Sequence, residues 1–443
     1  MGKLYPVLRE NPLFRNLSNG TGLPPRPVPL LIPGLVSVIP MSSRLPLRSS
    51  LALAGLRIVN RASRTLGMGQ GTVAGGRVAL RIDPQLVRRM SARRRIVLVS
   101  GTNGKTTTTA LVVAALGGAT TNATGSNMSA GIVAALASDQ QSLTVLEVDE
   151  AFLATVAEAT QPEVVVLLNL SRDQLDRAAE VRVLAEKWRT TLHNTSATIV
   201  ANCADPLVVY AAIAQMDSKV VWCDVGSSWN LDAKSCPQCT EPLDPDGAWR
   251  CECGFAKPIP DYVLDDTLRG SDISVDLHVA LPGGFNRSNA ALAVVAASLL
   301  GTPLELAAQR VSTIREVAGR FTLRQRDGQV FRLMLAKNPA GVSALIGLVA
   351  GGSDVVVSIN DLIADGTDPS WLYDAPFDRL RGSTVWCTGE RALDLATRLE
   401  YDDVTARVVT VEDIAGRVSG SGPVDVIANY TAFAAWLEST SPC

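Results

Sequence analysis

Short runs of β-branched and aliphatic residues alternate with longer segments of helical apolar spacing along most of this chain. Residues 95–99, 143–148, 164–169, 198–201 and 220–223 read as strands buried on both faces, because their apolar positions run on without a polar partner every second residue. Helical patterns separate most of them, as over residues 179–192. Such alternation predicts a parallel α/β sheet. A second alternation runs from Phe331 to the end, with strands expected at residues 354–359, 384–387, 407–410 and 424–427. It predicts a separate C-terminal α/β domain. Ahead of the first strand, residues 51–64 have helical spacing, residues 67–76 are glycine-rich, and residues 78–82 alternate as a strand would. Residues 1–45, rich in Pro, Arg and Leu without a period, read as an irregular basic arm or an over-extended gene start, with Met41 and Met68 as later candidate starts.

A length of 443 residues suits two to three domains, and 47% hydrophobic against 19% charged residues excludes a disordered chain. No uninterrupted apolar run is long enough to span a bilayer. The near-neutral net charge of −2 conceals an asymmetry: residues 1–95 carry 16 Lys and Arg against two acids, whereas the rest carries 25 against 41. The basic end implies either a solvated arm or an anionic neighbour, a nucleic acid or a membrane surface. With only His193 and His278 in the chain, mechanisms built on a histidine base or a histidine-rich metal centre have little material.

The strand at 95–99 leads into Ser100-Gly-Thr-Asn-Gly-Lys-Thr-Thr-Thr108 and then a helical pattern, the setting of a phosphate-binding loop. Gly101, Thr102, Asn103, Gly104, Lys105, Thr106 and Thr107 are the candidate nucleotide-binding residues. Glycines let backbone N–H groups approach phosphate oxygens, Lys105 reaches the terminal phosphates, and the Thr106 hydroxyl suits Mg²⁺. Cys236-Pro-Gln-Cys239 followed by Cys251-Glu-Cys253 has the form of a four-cysteine zinc ribbon. Its second pair is one residue short of the usual spacing.

The Gly-Thr-Asn-Gly-Lys-Thr-Thr form resembles the Mur ligase superfamily, and further segments match in order. Leu146-Glu-Val-Asp-Glu150 lies where that family keeps an acidic Mg²⁺ ligand, which implies Glu147. Asn169-Leu-Ser-Arg-Asp-Gln-Leu-Asp-Arg177 resembles the family's N-x-x-x-D-H-L-D-R segment, with Gln174 in place of the histidine that assists a second metal. Gly284-Phe-Asn-Arg-Ser-Asn289 resembles the adenine-holding segment and implies Asn286 and Asn289. Gly319-Arg320 resembles the Gly-Arg whose guanidinium reaches ATP, and Ala336-Lys-Asn-Pro339 resembles the family's A-H-N-P, with Lys337 replacing histidine. The carbamylated lysine of some members has no unambiguous match; Lys187 is near.

The resemblance implies a central ATPase domain over residues 46–320, a zinc ribbon inserted at 222–259, and a C-terminal Rossmann-like α/β domain over 321–443. The ribbon, the lack of room for a nucleotide-sugar domain, and the segment Ile359-Asn-Asp-Leu-Ile-Ala-Asp-Gly-Thr-Asp-Pro-Ser-Trp-Leu-Tyr-Asp374, which resembles an N-D-x-x-A-D-G-x-D-x-S-W signature, are similar to the MurT branch. That branch implies a synthetase subunit that uses ATP, Mg²⁺ and Zn²⁺ at the inner face of the membrane. It amidates the D-glutamate α-carboxylate of lipid II through an acyl phosphate, with ammonia from a GatD-like glutamine amidotransferase. Asp368, or failing it Asp365, is implied to complete the partner's Cys–His pair. The alternative enzyme is a Mur or folylpolyglutamate-type amino-acid ligase. A nucleic-acid-binding ATPase is disfavoured, because the ribbon carries Glu241, Asp244, Asp246 and Glu252 against Arg250.

Overall fold

The computed structural model describes residues 45–65, 72–122, 127–139, 141–173, 180–213, 219–227, 229, 231–244, 247–317, 320–418 and 422–443. The arm at 1–44, the later candidate start Met68, Gln174 and Gly319 lie outside them. Three helices come first: α1 (Leu47–Thr65), α2 (Thr72–Ile82) and α3 (Leu86–Ser91). The strand expected at 78–82 is therefore helical. Its five residues were too few to separate a period of two from one of 3.6. Burial falls on Gly75, Gly76, Ala79 and Asp83, a helical stripe. The glycine pair serves helix packing. A Cβ at Gly76 would sit 2.0 Å from the Ala130 carbonyl oxygen, and one at Gly75 would sit 2.1 Å from Asn60 Oδ1.

Strand–helix alternation follows: β1 (Arg95–Ser100), α4 (Lys105–Leu116), β2 (Thr120–Thr121), α5 (Ser129–Ser138), β3 (Leu143–Glu147), α6 (Leu153–Thr160), β4 (Val164–Leu167), α7 (Val181–His193), β5 (Thr198–Asn202), α8 (Pro206–Ala212) and β6 (Val220–Asp224). The short strands β7 (Tyr262–Leu264), β8 (Leu268–Arg269) and β9 (Ser274–Val275) extend the sheet, in the order β2-β3-β1-β4-β5-β6-β7-β8-β9. Pairing is parallel from β2 through β7. Its central strands are buried on both faces, which explains their unbroken apolar sequences. The four-cysteine segment lies between β6 and β7. Helices α9 (Gly284–Leu299) and α10 (Leu304–Val311) cover the face that also carries α4.

The second sheet begins at residue 321. It contains β10 (Phe321–Arg326), β11 (Gln329–Leu335), β12 (Asp354–Ser358), β13 (Thr384–Thr388), β14 (Thr405–Val408), β15 (Val424–Ala428) and β16 (Ser441–Pro442), in the order β14-β13-β12-β15-β11-β10-β16. Helices α11 (Pro339–Ile346) and α12 (Ala392–Glu400) connect its parallel strands, and α13 (Tyr430–Ser439) leads from β15 to β16, which pairs antiparallel with β10. Asn338 caps α11 by accepting the Gly341 N–H at 2.8 Å, with Pro339 at the first helical position. The Asn-Pro pair of the 336–339 motif is thus a helix start.

Candidate functional site

β1 ends at Ser100, and the next four residues turn the chain into α4. Gly101 and Gly104 adopt φ of +153° and +86°. A Cβ on Gly104 would lie 2.8 Å from Asn289 Oδ1, and one on Gly101 would lie 2.8 Å from Leu168 Cβ. Both positions therefore require glycine. The loop is tied to the segment after β4. Thr102 N–H donates to the Asn169 carbonyl at 3.0 Å and Asn103 N–H to Asn169 Oδ1 at 2.9 Å, while Asn169 Nδ2 returns a bond to the Asn103 carbonyl at 3.0 Å. The Thr102 hydroxyl donates to the Ser171 carbonyl. Residues 169–171 of the second motif thus fix the loop's shape. Gly104 caps α4 without a side chain, and Lys105, Thr106 and Thr107 in its first turn line a cleft. Uncapped N–H groups, a helix dipole and a lysine suit an anionic ligand.

Lys105 is buried. Its ammonium donates to the Gly101 carbonyl at 2.6 Å and to Glu150 Oε2 at 2.7 Å. Burial alone would lower its pKa, but the nearby carboxylates of Glu150 and Asp173 outweigh this and raise it. Asp149 is held above the usual carboxylate range, first by burial and then by Glu150. Glu147, the expected Mg²⁺ residue, ends β3 and is also buried, with Asn127 Nδ2 donating to its Oε1 at 3.4 Å. Sequence reasoning selected Glu147 and passed over Glu150. The only available signal was its membership of the same acidic pentapeptide.

Asn286 and Asn289 sit on the first turns of α9 and line the cleft, with Asn289 against Gly104. Arg320 enters from the start of the second sheet. Its Nη2 donates to Thr106 Oγ1 at 2.9 Å and to the Tyr430 hydroxyl at 3.1 Å, and its guanidinium lies over the Tyr430 ring at 5.4 Å. Lys337 pairs with Asp173, whose other oxygen accepts from Asn338 Nδ2 at 3.3 Å. Burial would raise the Asp173 pKa, but Lys337 and Lys105 hold it below the ordinary value. The residue replacing histidine in the 336–339 motif therefore clasps the 169–173 segment. Apolar residues including Leu281, Phe285, Phe321 and Leu345 complete the cleft. Lys187 lies exposed on α7 and is not among the cleft-lining residues.

Cys236, Cys239, Cys251 and Cys253 bring their Sγ atoms within 4.8 Å of one another. The Cys236–Cys253 and Cys239–Cys251 separations are 3.7 and 3.4 Å. No cysteine is disulfide-bonded. Tetrahedral Zn²⁺ at a Zn–S distance of about 2.3 Å sets sulfurs roughly 3.8 Å apart, so the donor set fits that ion. Each pair is followed by a left-handed residue, Thr240 at φ +71° and Gly254 at φ +93°, so the shorter second pair makes a turn of the same hand. Leu243, Trp249 and Phe255 pack the cluster onto Cys203 and Val209 of the main body.

The two aspartates of the 360–371 segment have different surroundings. Asp365 is buried, and its carboxylate accepts from both the N–H and the hydroxyl of Thr431 at the start of α13. Asp368 is part-exposed and accepts the Ser370 N–H at 2.9 Å, which lowers its pKa. Leu362, Ile363 and Tyr373 nearby are exposed. Burial pushes the thiols of Cys203 and Cys387 up to about 12 and that of Cys223 well above its usual value. None of the three is a candidate nucleophile.

The Mur ligase middle domain family matches residues 99–243, and the MurT ligase C-terminal family matches residues 335–433. The chain is 30% identical over 430 residues to the lipid II isoglutaminyl synthase (glutamine-hydrolyzing) subunit MurT of Staphylococcus aureus strain COL, covering 88% of this chain and 98% of that protein. It is 29% identical over 414 residues to the subunit of the same name from Streptococcus pneumoniae strain ATCC BAA-255 / R6, covering 84% and 92%. Among solved structures, a pseudomurein peptide ligase type C from Methanothermus fervidus aligns with a TM-score of 0.63 at 19% identity over 80% of each chain. MurF ligase from Thermotoga maritima in complex with ADP aligns with a TM-score of 0.54 at 16% identity over 82% of this chain and 83% of that one. These structures establish the fold: Mur ligase-type α/β layers, here with a four-cysteine insertion.

Proposed function

Since the chain belongs to the MurT family of Mur ligases, we propose that it is the ATP-dependent synthetase subunit of a lipid II isoglutaminyl synthase, converting the D-glutamate α-carboxylate of the stem peptide to D-isoglutamine. The near-complete match to two MurT subunits, spanning both sheets, carries this reading. Residues 46–320 form the ATP-binding domain and 321–443 the C-terminal domain, divided where the first sheet gives way to the second.

Lys105, Thr106 and the loop N–H groups bind the phosphates, Asn286 and Asn289 border the base, and Mg²⁺ would be held by Glu147 and by the Thr106 hydroxyl once the Arg320 guanidinium moves off it. When bound, the metal neutralises phosphate charge during transfer. The substrate carboxylate takes the γ-phosphoryl group and ADP leaves. Ammonia then attacks the carbonyl carbon, giving the amide and hydrogen phosphate, which carries away ammonia's third proton. Lys105 stabilises charge on the transferring group, and Arg320 links the loop to the second sheet so that both halves meet at the reacting atoms. The cysteine cluster holds Zn²⁺ structurally, since four thiolates leave no open position.

Ammonia must come from elsewhere: three thiols are buried and raised, four cysteines form the cluster, Cys443 is at the exposed end, and both histidines are exposed. A GatD-like glutaminase is the partner, and Asp368, the more accessible aspartate, serves its Cys–His pair. The chain works at the cytoplasmic face of the membrane. Among its described residues no helix is long and apolar enough to cross it. Copurification with a glutaminase, followed by glutamine- and ATP-dependent amidation of lipid II, tests the reading. A complex that lengthens the peptide by an amino acid instead would support the amino-acid ligase.

A further inference from the structure

Helix α1 is apolar on two opposite faces. Ala52 and Leu56 are buried inward, beside α2. On the outer side Leu47, Leu51, Ala54, Ile58 and Ala62 follow at i, i+4, i+7, i+11 and i+15, a single helical stripe. Leu47 is 78% exposed, Leu51 56% and Ile58 69%. A helix in contact with water on that side normally carries polar residues there.

The charge exposed on the three leading helices has one sign. Arg57, Arg61 and Arg64 lie exposed on α1, Arg77 and Arg81 on α2, and Arg88 on α3. Between residues 45 and 95 the only acid is Asp83, which is already paired with Arg89. Among the described residues Arg57, Arg61, Arg77, Arg81 and Arg88 make no ion pair.

We propose that the outer face of α1 is a docking surface for an anionic lipid bilayer, which rests on the reading that the substrate is held in a membrane. The aliphatic stripe enters the boundary between headgroups and acyl chains, and the arginines meet anionic headgroups, so that the two contributions add. A nucleic acid would satisfy the arginines but leave Leu47, Leu51 and Ile58 in water. A protein partner would have to be strongly acidic around an apolar seam.

The test is sedimentation of the full chain, with its glutaminase if the two copurify, on vesicles of phosphatidylcholine alone or mixed with phosphatidylglycerol. Binding is expected only to the mixed vesicles. Leu51→Gln/Ile58→Gln and Arg57→Gln/Arg61→Gln should each weaken it by about tenfold, with unchanged melting temperature and unchanged amidation of detergent-dispersed lipid II. Absence of vesicle binding, binding indifferent to phosphatidylglycerol, or full binding by the Leu51/Ile58 variant would overturn the proposal. Capture by a short DNA duplex that only the arginine variant loses, without vesicle binding, would also overturn it. The detergent assay reads the substrate assignment separately, so the two readings fail independently.

Discussion

Lys105 and Glu150 form an ion pair at 2.7 Å in which each side chain is only 6% exposed. The lysine of the 101–107 loop is thus held by an acid 45 residues away. A buried pair is costly to break from one side, because the remaining charge has no water to turn to.

Lys105→Ala should lower ATP turnover by about 10²- to 10³-fold, the usual cost of losing a positioned electrostatic donor. Glu150→Gln should destabilise the chain by roughly 3–5 kcal/mol in denaturant unfolding, and saturating Mg–ATP should raise its Tm more than that of the wild type, since phosphate replaces the lost anion. The Lys105 pKa lies above the ordinary 10.5. The pair's contribution is therefore fully present below that pH and lost only as pH rises past the raised value, leaving stability from this source flat across neutral pH.

Arg320 joins the loop to the second sheet through Thr106 and Tyr430. Arg320→Ala should cost about 10²-fold in kcat/KM. Tyr430→Phe, which keeps the ring under the guanidinium and loses one hydrogen bond, should cost only a few-fold. Equal losses in steady-state kinetics would place the effect in Tyr430 and remove Arg320 from its role.

Cys236→Ser together with Cys239→Ser should lose about one zinc per chain and lower the unfolding temperature, leaving ATP turnover less affected, because a structural site contributes folding energy directly. Elemental analysis of the native protein checks this, and a preparation without zinc contradicts it.

Local chemistry made much of the site legible. A glycine-bordered lysine between strand and helix, and two cysteine pairs, declare themselves by type and spacing, and the buried parallel strands by unbroken apolar runs. Residues 78–82 are too few to separate a strand's period from a helix's, and nothing in the glycine-rich 67–76 announces that Gly75 and Gly76 pack α2 against α1 and α5. The Lys337–Asp173 clasp spans 164 residues, and nothing near either residue announces the other. The resemblance ranks Asp368 ahead of Asp365, but nothing in the segment itself gives their surroundings. Asp365 accepts from Thr431 at the start of α13, 66 residues further on, and is buried, whereas Asp368 caps the short helical turn Pro369–Asp374 and stays part-exposed.

Asp368→Asn should remove glutamine-dependent amidation while sparing amidation with ammonium salt, because an amide cannot stabilise a partner's imidazolium. Asp365→Asn should instead lower stability and reduce both activities together. Loss in both assays for Asp368→Asn would move that residue into the ligase site, and no loss in either would make it a turn residue.

The central claim is that this chain activates a lipid II carboxylate and receives its nitrogen as ammonia. The direct measurement is mass spectrometry of lipid II incubated with the purified chain alone, ATP, Mg²⁺ and either an ammonium salt or glutamine. The account predicts conversion of one carboxyl to carboxamide, with stoichiometric ADP and phosphate, from ammonium but not from glutamine until the glutaminase is added. No conversion from ammonium, or incorporation of an intact amino acid, would contradict it.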